Sequence, residues 1–98
     1  MTWEDFLRTK PCLKCGSWPV ELAHIHGLVS PKTDQVMPRR KGLARFAAIP
    51  LCPGCHRTGK DSIHRLGEDE FFRQLGRHQC YVFQKLVGYL AEYKGWAT

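Results

Sequence analysis

A chain of 98 residues with 43 % hydrophobic and 24 % charged side chains has room for one domain with a small core and is too apolar for a disordered segment. With 15 basic and 9 acidic side chains the net charge is +6, which points to a polyanionic partner, nucleic acid above all. No run approaches the ~18 apolar residues that span a membrane, and no charged stretch leading into an apolar one begins the chain, so neither a membrane span nor a secretory signal is expected.

In chain order, Thr2 with Asp5 three residues on resembles a capping box, and Trp3, Phe6 and Leu7 fall at helical spacing, which predicts a short helix over 2–9. Lys10-Pro11 ends it, because the residue before a proline resists the helical region. Cys12-Leu13-Lys14-Cys15 forms a first knuckle, and Gly16 after it suits a positive-φ turn. Residues 21–26, Glu-Leu-Ala-His-Ile-His, read as a strand, whose alternation puts His24 and His26 on the same face.

Residues 27–45 lack periodicity and carry Lys32, Arg39, Arg40, Lys41 and Arg45 against Asp34 alone. This predicts a long irregular loop, and loops of that length in small domains are usually functional. Residues 46–51 are the second strand, with Pro50 suited to an edge. Cys52-Pro53-Gly54-Cys55 is the second knuckle, and a helix beginning at Pro53 would carry Cys55 and His56. Thr58 to Asp61 interrupts before Ser62-Ile63-His64-Arg65-Leu66-Gly67. Glu68, Asp69 and Glu70 ahead of Phe71, Phe72 and Leu75 predict a helix over 68–76 ended by Gly76. Val82, Phe83, Leu86, Val87 and Leu90 predict a last amphipathic helix over 79–94, closed by Gly95.

Two Cys-x-x-Cys pairs separated by 36 residues read as one structural zinc site on Cys12, Cys15, Cys52 and Cys55. The metal stands in for the core that a short chain lacks. Thiolates without disulfides suit a reducing compartment, and the expected location is cytoplasmic. Cys80, the fifth cysteine, reads as an ordinary half-buried thiol.

His24 and His26 precede the loop; His56 and His64 follow the second strand. A hairpin with a helix packed across it brings all four towards one point beside the zinc and the basic loop. A second metal held there by nitrogen ligands would act as a Lewis acid on a phosphate, while a neutral histidine takes a proton from water. His78 lies outside this group and reads as ordinary.

Ala23-His24-Ile25, then Ile49-Pro50-Leu51-Cys52-Pro53-Gly54-Cys55-His56, resembles the HNH (ββα-metal) nucleases. Ser62-Ile63-His64-Arg65-Leu66-Gly67 with Phe71 is similar to small phage-type members linked to recombination. The resemblance covers about residues 12–72. It implies an α+β fold: a zinc-stapled ββα-metal core over 12–67 within one domain of residues 1–98, with a short N-terminal helix and a C-terminal helical segment over 68–96. It implies a metal-dependent DNA endonuclease with His24 as general base. His56 and His64 would hold a divalent ion, Mg²⁺ or Mn²⁺ or alternatively Zn²⁺ or Ni²⁺, with either His26 or water filling the position that Ala23 leaves without a ligand. Lys32, Arg39, Arg40, Lys41 and Arg45 would contact DNA, and a recombination or packaging protein is an expected partner. Three positions depart from the family. Ala23 stands where many members carry a ligand before the base. Ala47 stands where the middle Asn falls, leaving Asp34, Gln35 or Arg45 to orient the base loop. The step from His56 to His64 is long, so Thr58–Asp61 must bulge. The competing readings are a catalytically silent zinc-stapled module that binds nucleic acid and an adaptor using the C-terminal helix.

Overall fold

The computed structural model describes residues 2–33, 35–37, 42–76 and 80–97. The chain is α+β. Helix α1 (Trp3–Arg8) is followed by strand β1 (Glu21–His24), strand β2 (Ala48–Leu51), and helices α2 (Ile63–Leu66), α3 (Glu68–Gln74) and α4 (Cys80–Ala97). A 3₁₀ helix (Gly42–Phe46) precedes β2, and a π-helical segment (Gly54–Thr58) follows it.

The two strands form an antiparallel pair with Glu21 opposite Leu51 and His24 opposite Ala48. All four residues of β2 are buried because both of its faces are covered. Ile49 and Leu51 pack with Ile63, Phe71, Phe72, Val82 and Leu86; Ala48 packs with Phe6, Leu7 and Tyr89. Leu7, Ile49, Leu51 and Leu86 are wholly excluded from solvent, each worth about 1.5–3 kcal/mol of transfer free energy. Pro50 lies inside β2 opposite Leu22, which a two-stranded sheet tolerates since each strand is an edge. Its carbonyl accepts the Leu13 N–H at 2.9 Å and so ties the first knuckle to β2.

Helix α1 begins as its sequence requires: Thr2 Oγ1 accepts the Asp5 N–H at 3.1 Å, and Phe6 and Leu7 face inward. Trp3 stacks on Phe6 at 6.0 Å and meets Phe46 and Tyr93 edge-on. Gly16 and Gly76 take positive φ, 79° and 70°, as turn residues at those points must.

Several boundaries differ from the expectation, α1 spanning Trp3–Arg8 and α3 ending at Gln74 among them. β1 stops at His24, not residue 26, because after Ile25 N–H bonds to Ala47 O the next two amides turn away to Glu68. β2 starts at Ala48, not residue 46, because the 3₁₀ turn still holds the Ala47 N–H on Ala44 O. The stretch expected to be irregular contains that turn and an isolated bridge, Val29 to Val36. Helix α4 runs through Gly95 to Ala97, because Gly95 keeps the helical conformation and does not take the positive φ of the commonest glycine cap.

The step after the second knuckle is the other departure. Instead of an α-helix from Pro53, the Gly59 N–H reaches back five residues to Gly54 O at 2.9 Å. A Cβ on Gly59 would sit 2.5 Å from that oxygen, so only glycine fits. Ser62, fully buried, then caps α2: its hydroxyl donates to Arg57 O and accepts the Arg65 N–H. This is the form the bulge between His56 and His64 takes. Among the described residues no helix is long and apolar enough to cross a membrane.

Candidate metal centre and candidate active site

The sulfurs of Cys12, Cys15, Cys52 and Cys55 all lie within 4.8 Å of one another. Cys15 and Cys52 Sγ are 3.5 Å apart. A tetrahedron with metal–sulfur bonds of about 2.3 Å has edges of about 3.8 Å, so four sulfurs gathered this closely are compatible with a tetrahedral ion such as zinc. The Cys15 N–H lies 3.5 Å from Cys12 Sγ, the amide-to-sulfur contact of a tight knuckle. The Ser17 hydroxyl, 2.8 Å from Cys15 Sγ, is the main cause of a thiol pKa lowered to about 6. Cys55 goes the other way: burial first, then the neighbouring thiols, push it up. The cluster can hold a structural metal such as zinc, with Cys12 buried and Cys15 at the surface.

The π-helical segment carries His56 and α2 carries His64, with ring centroids 4.5 Å apart and planes at 72°. Glu21, on β1, approaches from the side: its Oε1 lies 2.8 Å from His56 Nδ1. The same carboxylate takes Arg57 Nε at 2.9 Å and Nη2 at 2.6 Å. Arg57, first, and His56, second, hold the Glu21 carboxyl below its ordinary range. An ionised Glu21 puts the His56 proton on Nδ1 and leaves Nε2 as the free nitrogen, the arrangement that orients metal-binding histidines elsewhere.

His24 is exposed at the end of β1. It borders two cavities. One, of about 650 Å³, is shared with Ala23, His26, His64, Glu68 and Arg73. The other, of about 280 Å³, lies against Trp3, Leu22, Phe46 and Arg45. The structure therefore pairs His56 with His64 and sets His24, His26 and His64 around one cavity. Among the described residues, no group of three histidine, cysteine or carboxylate ligand atoms besides the four thiols falls within 4.8 Å. Ala23 borders the cavity that His24, His26 and His64 share, so the chain puts a methyl group and no metal-binding side chain at that place. Lys32 and Arg45 are both exposed; Arg39, Arg40, Lys41, Asp34 and His78 lie outside the described residues.

Two functional candidates are absent from the sequence reading. Glu21 carried one available signal, since strand alternation puts it on the face of Ala23. Glu68, whose carboxylate accepts the His26 and Gly27 amides at 2.8 and 2.9 Å, carried none, being 42 and 41 residues away.

Comparison with models of known protein families, with curated proteins and with solved structures yields no match to this chain.

Proposed function

We propose that the chain is a metal-dependent DNA endonuclease of the HNH type, with phosphodiester bonds as its substrate. The observation that supports this best is the arrangement of histidines on the hairpin and the segment behind it. His24 ends β1 and shares a cavity with His64, whose ring meets that of His56, and all three adjoin strands stapled by the cysteine cluster.

His56, through Nε2, and His64 would hold the divalent ion. Bound there, the ion supplies Lewis acidity to the phosphate and stabilises the departing oxyanion. Glu21 fixes the His56 tautomer and ring direction, and Arg57 keeps Glu21 ionised. His24, exposed to the cavity, takes a proton from the water whose oxygen attacks phosphorus. The bond to the sugar oxygen breaks, and that oxygen leaves with a proton from solvent. Arg45, Lys32 and the neighbouring Arg39, Arg40 and Lys41 supply positive charge for the DNA backbone.

The test is conversion of supercoiled plasmid with Mg²⁺ or Mn²⁺ and its arrest by EDTA. A second reading rests on the Ala23 methyl and the pairing of only two imidazoles: a zinc-stapled module that binds nucleic acid without cutting it. Salt-dependent DNA binding with no cleavage under any divalent ion selects that reading.

The basic segment gives a separate expectation. Each phosphate contact contributes a slope of about −0.9 to log affinity against log salt on duplex DNA. Neutralising Arg39, Arg40, Lys41 and Arg45 together should therefore flatten the slope by up to about 3.6. An unchanged slope in a salt titration of binding assigns these side chains to solvent.

A further inference from the structure

The end of the strand that carries His24 is fastened from outside the hairpin. Ile25 N–H donates to Ala47 O at 2.9 Å, the last link between the strands. The next two amides leave: His26 N–H donates to Glu68 Oε2 at 2.8 Å and Gly27 N–H to Glu68 Oε1 at 2.9 Å. Each carboxylate oxygen thus takes one of two successive amides, in bonds strengthened by the ionised acceptor. Gly27 is fitted to this approach, because a Cβ there would lie 3.2 Å from Glu68 Oε1.

Glu68 is itself held firmly. It opens α3, whose Phe71 and Phe72 are 1 % and 2 % exposed. Gly67, at φ 83°, joins α3 directly to α2 and hence to His64. One side chain therefore connects the backbone just beyond His24 to the helix pair that carries His64, across the cavity both histidines border. Ala47, at the position of the family's middle Asn, has no polar side chain to offer, and its carbonyl accepts the Ile25 N–H.

We infer that Glu68 is a positioning residue for proton transfer: its paired bonds to the His26 and Gly27 amides set where the His24 imidazole stands relative to the His56–His64 pair. This rests on the reading of His24 as the base. The chemistry demands a carboxylate. A glutamine would present an NH₂ group to one of two N–H donors, whereas an aspartate keeps both acceptors on a stem one methylene shorter.

The experiment measures kcat, KM and the Mn²⁺ concentration for half-maximal plasmid cleavage in Glu68→Ala, Glu68→Gln, Glu68→Asp, His24→Ala and the Glu68→Ala/His24→Ala double variant. Zinc content and thermal unfolding are followed alongside. Glu68→Ala should lower kcat on the order of 10²-fold, the scale of a 1 Å misplacement, with KM and metal dependence unchanged. Glu68→Asp should recover more of the rate than Glu68→Gln. In the His24→Ala background, Glu68→Ala should cost nothing further, since the group it positions is gone. Wild-type kcat in Glu68→Ala, or losses that multiply in the double variant, overturns the inference. Should Glu68→Ala lose its zinc or its folding transition, Gly27→Ala gives the same readout by displacing the carboxylate a few tenths of an ångström. A smaller fall in kcat at constant KM is expected there, and wild-type kcat overturns the inference. A wild-type protein that cleaves no DNA removes the nuclease reading and this role with it; a cleaving wild type with an indifferent Glu68→Ala removes this role alone.

Discussion

Replacing Cys52 with Ser is expected to abolish folding and not merely activity. Structural zinc in small domains contributes an apparent 10–16 kcal/mol or so at neutral pH, comparable to or larger than the roughly 5–15 kcal/mol by which whole domains are stable. Cys52 directly follows β2, and its carbonyl accepts the His56 N–H at 2.9 Å, so the knuckle also starts the segment that presents His56. The partner knuckle is bonded to β2 through Leu13 and Pro50. Losing the ion would uncouple residues 12–15 from 52–55 and leave buried Cys12 without its partner charge. Elemental analysis should find one tightly held zinc per wild-type chain. Cys52→Ser should contain none and show no cooperative thermal transition. Folded wild-type protein free of zinc would sink this expectation.

The second large effect is a difference between two histidines. His24→Ala should lower the turnover rate by a general-base factor of about 10²–10⁴ while leaving metal affinity nearly intact. His24 is exposed, so removing it costs little stability. His56→Ala should instead weaken binding of the catalytic ion, so that high metal concentrations restore part of the rate. The His56 side chain is only 12 % exposed and leans on Glu21, but Glu21 keeps both of its bonds to Arg57 when the imidazole is lost. Both variants should retain structural zinc and bind DNA. The measurement is cleavage rate against Mn²⁺ or Mg²⁺ concentration. Equal metal dependence in the two variants would move the base assignment to His26, which borders the same cavities. Full activity in His24→Ala would remove the HNH mechanism from this chain.

The parts of this protein readable in its sequence are those encoded over a few residues. The Cys-x-x-Cys spacing is a local turn, and both turns proved to face one another. The cap at Thr2, the acidic start of α3 and the positive-φ glycines at 16 and 76 are likewise set by neighbours three or four positions apart. Element ends were read less well. Gly95 illustrates why: a glycine permits a helix to stop but does not compel it, and α4 continues.

What only the tertiary structure decided are contacts between residues remote in the chain. Glu21 meets His56 across 35 positions and Glu68 meets His26 across 42, and no periodicity of either segment registers such a meeting. The π-helical closure at Gly59 is a similar case, because a five-residue return is chosen by where Cys52, Ser62 and the hairpin must stand. The sequence by itself therefore determined the donor set of the metal centre, the hairpin and the histidines worth testing. Packing decided which of those histidines touch, which carboxylates meet them, and which share a cavity, since these depend on Ile63 of α2 and Phe71 and Phe72 of α3 packing with Ile49 and Leu51 of β2.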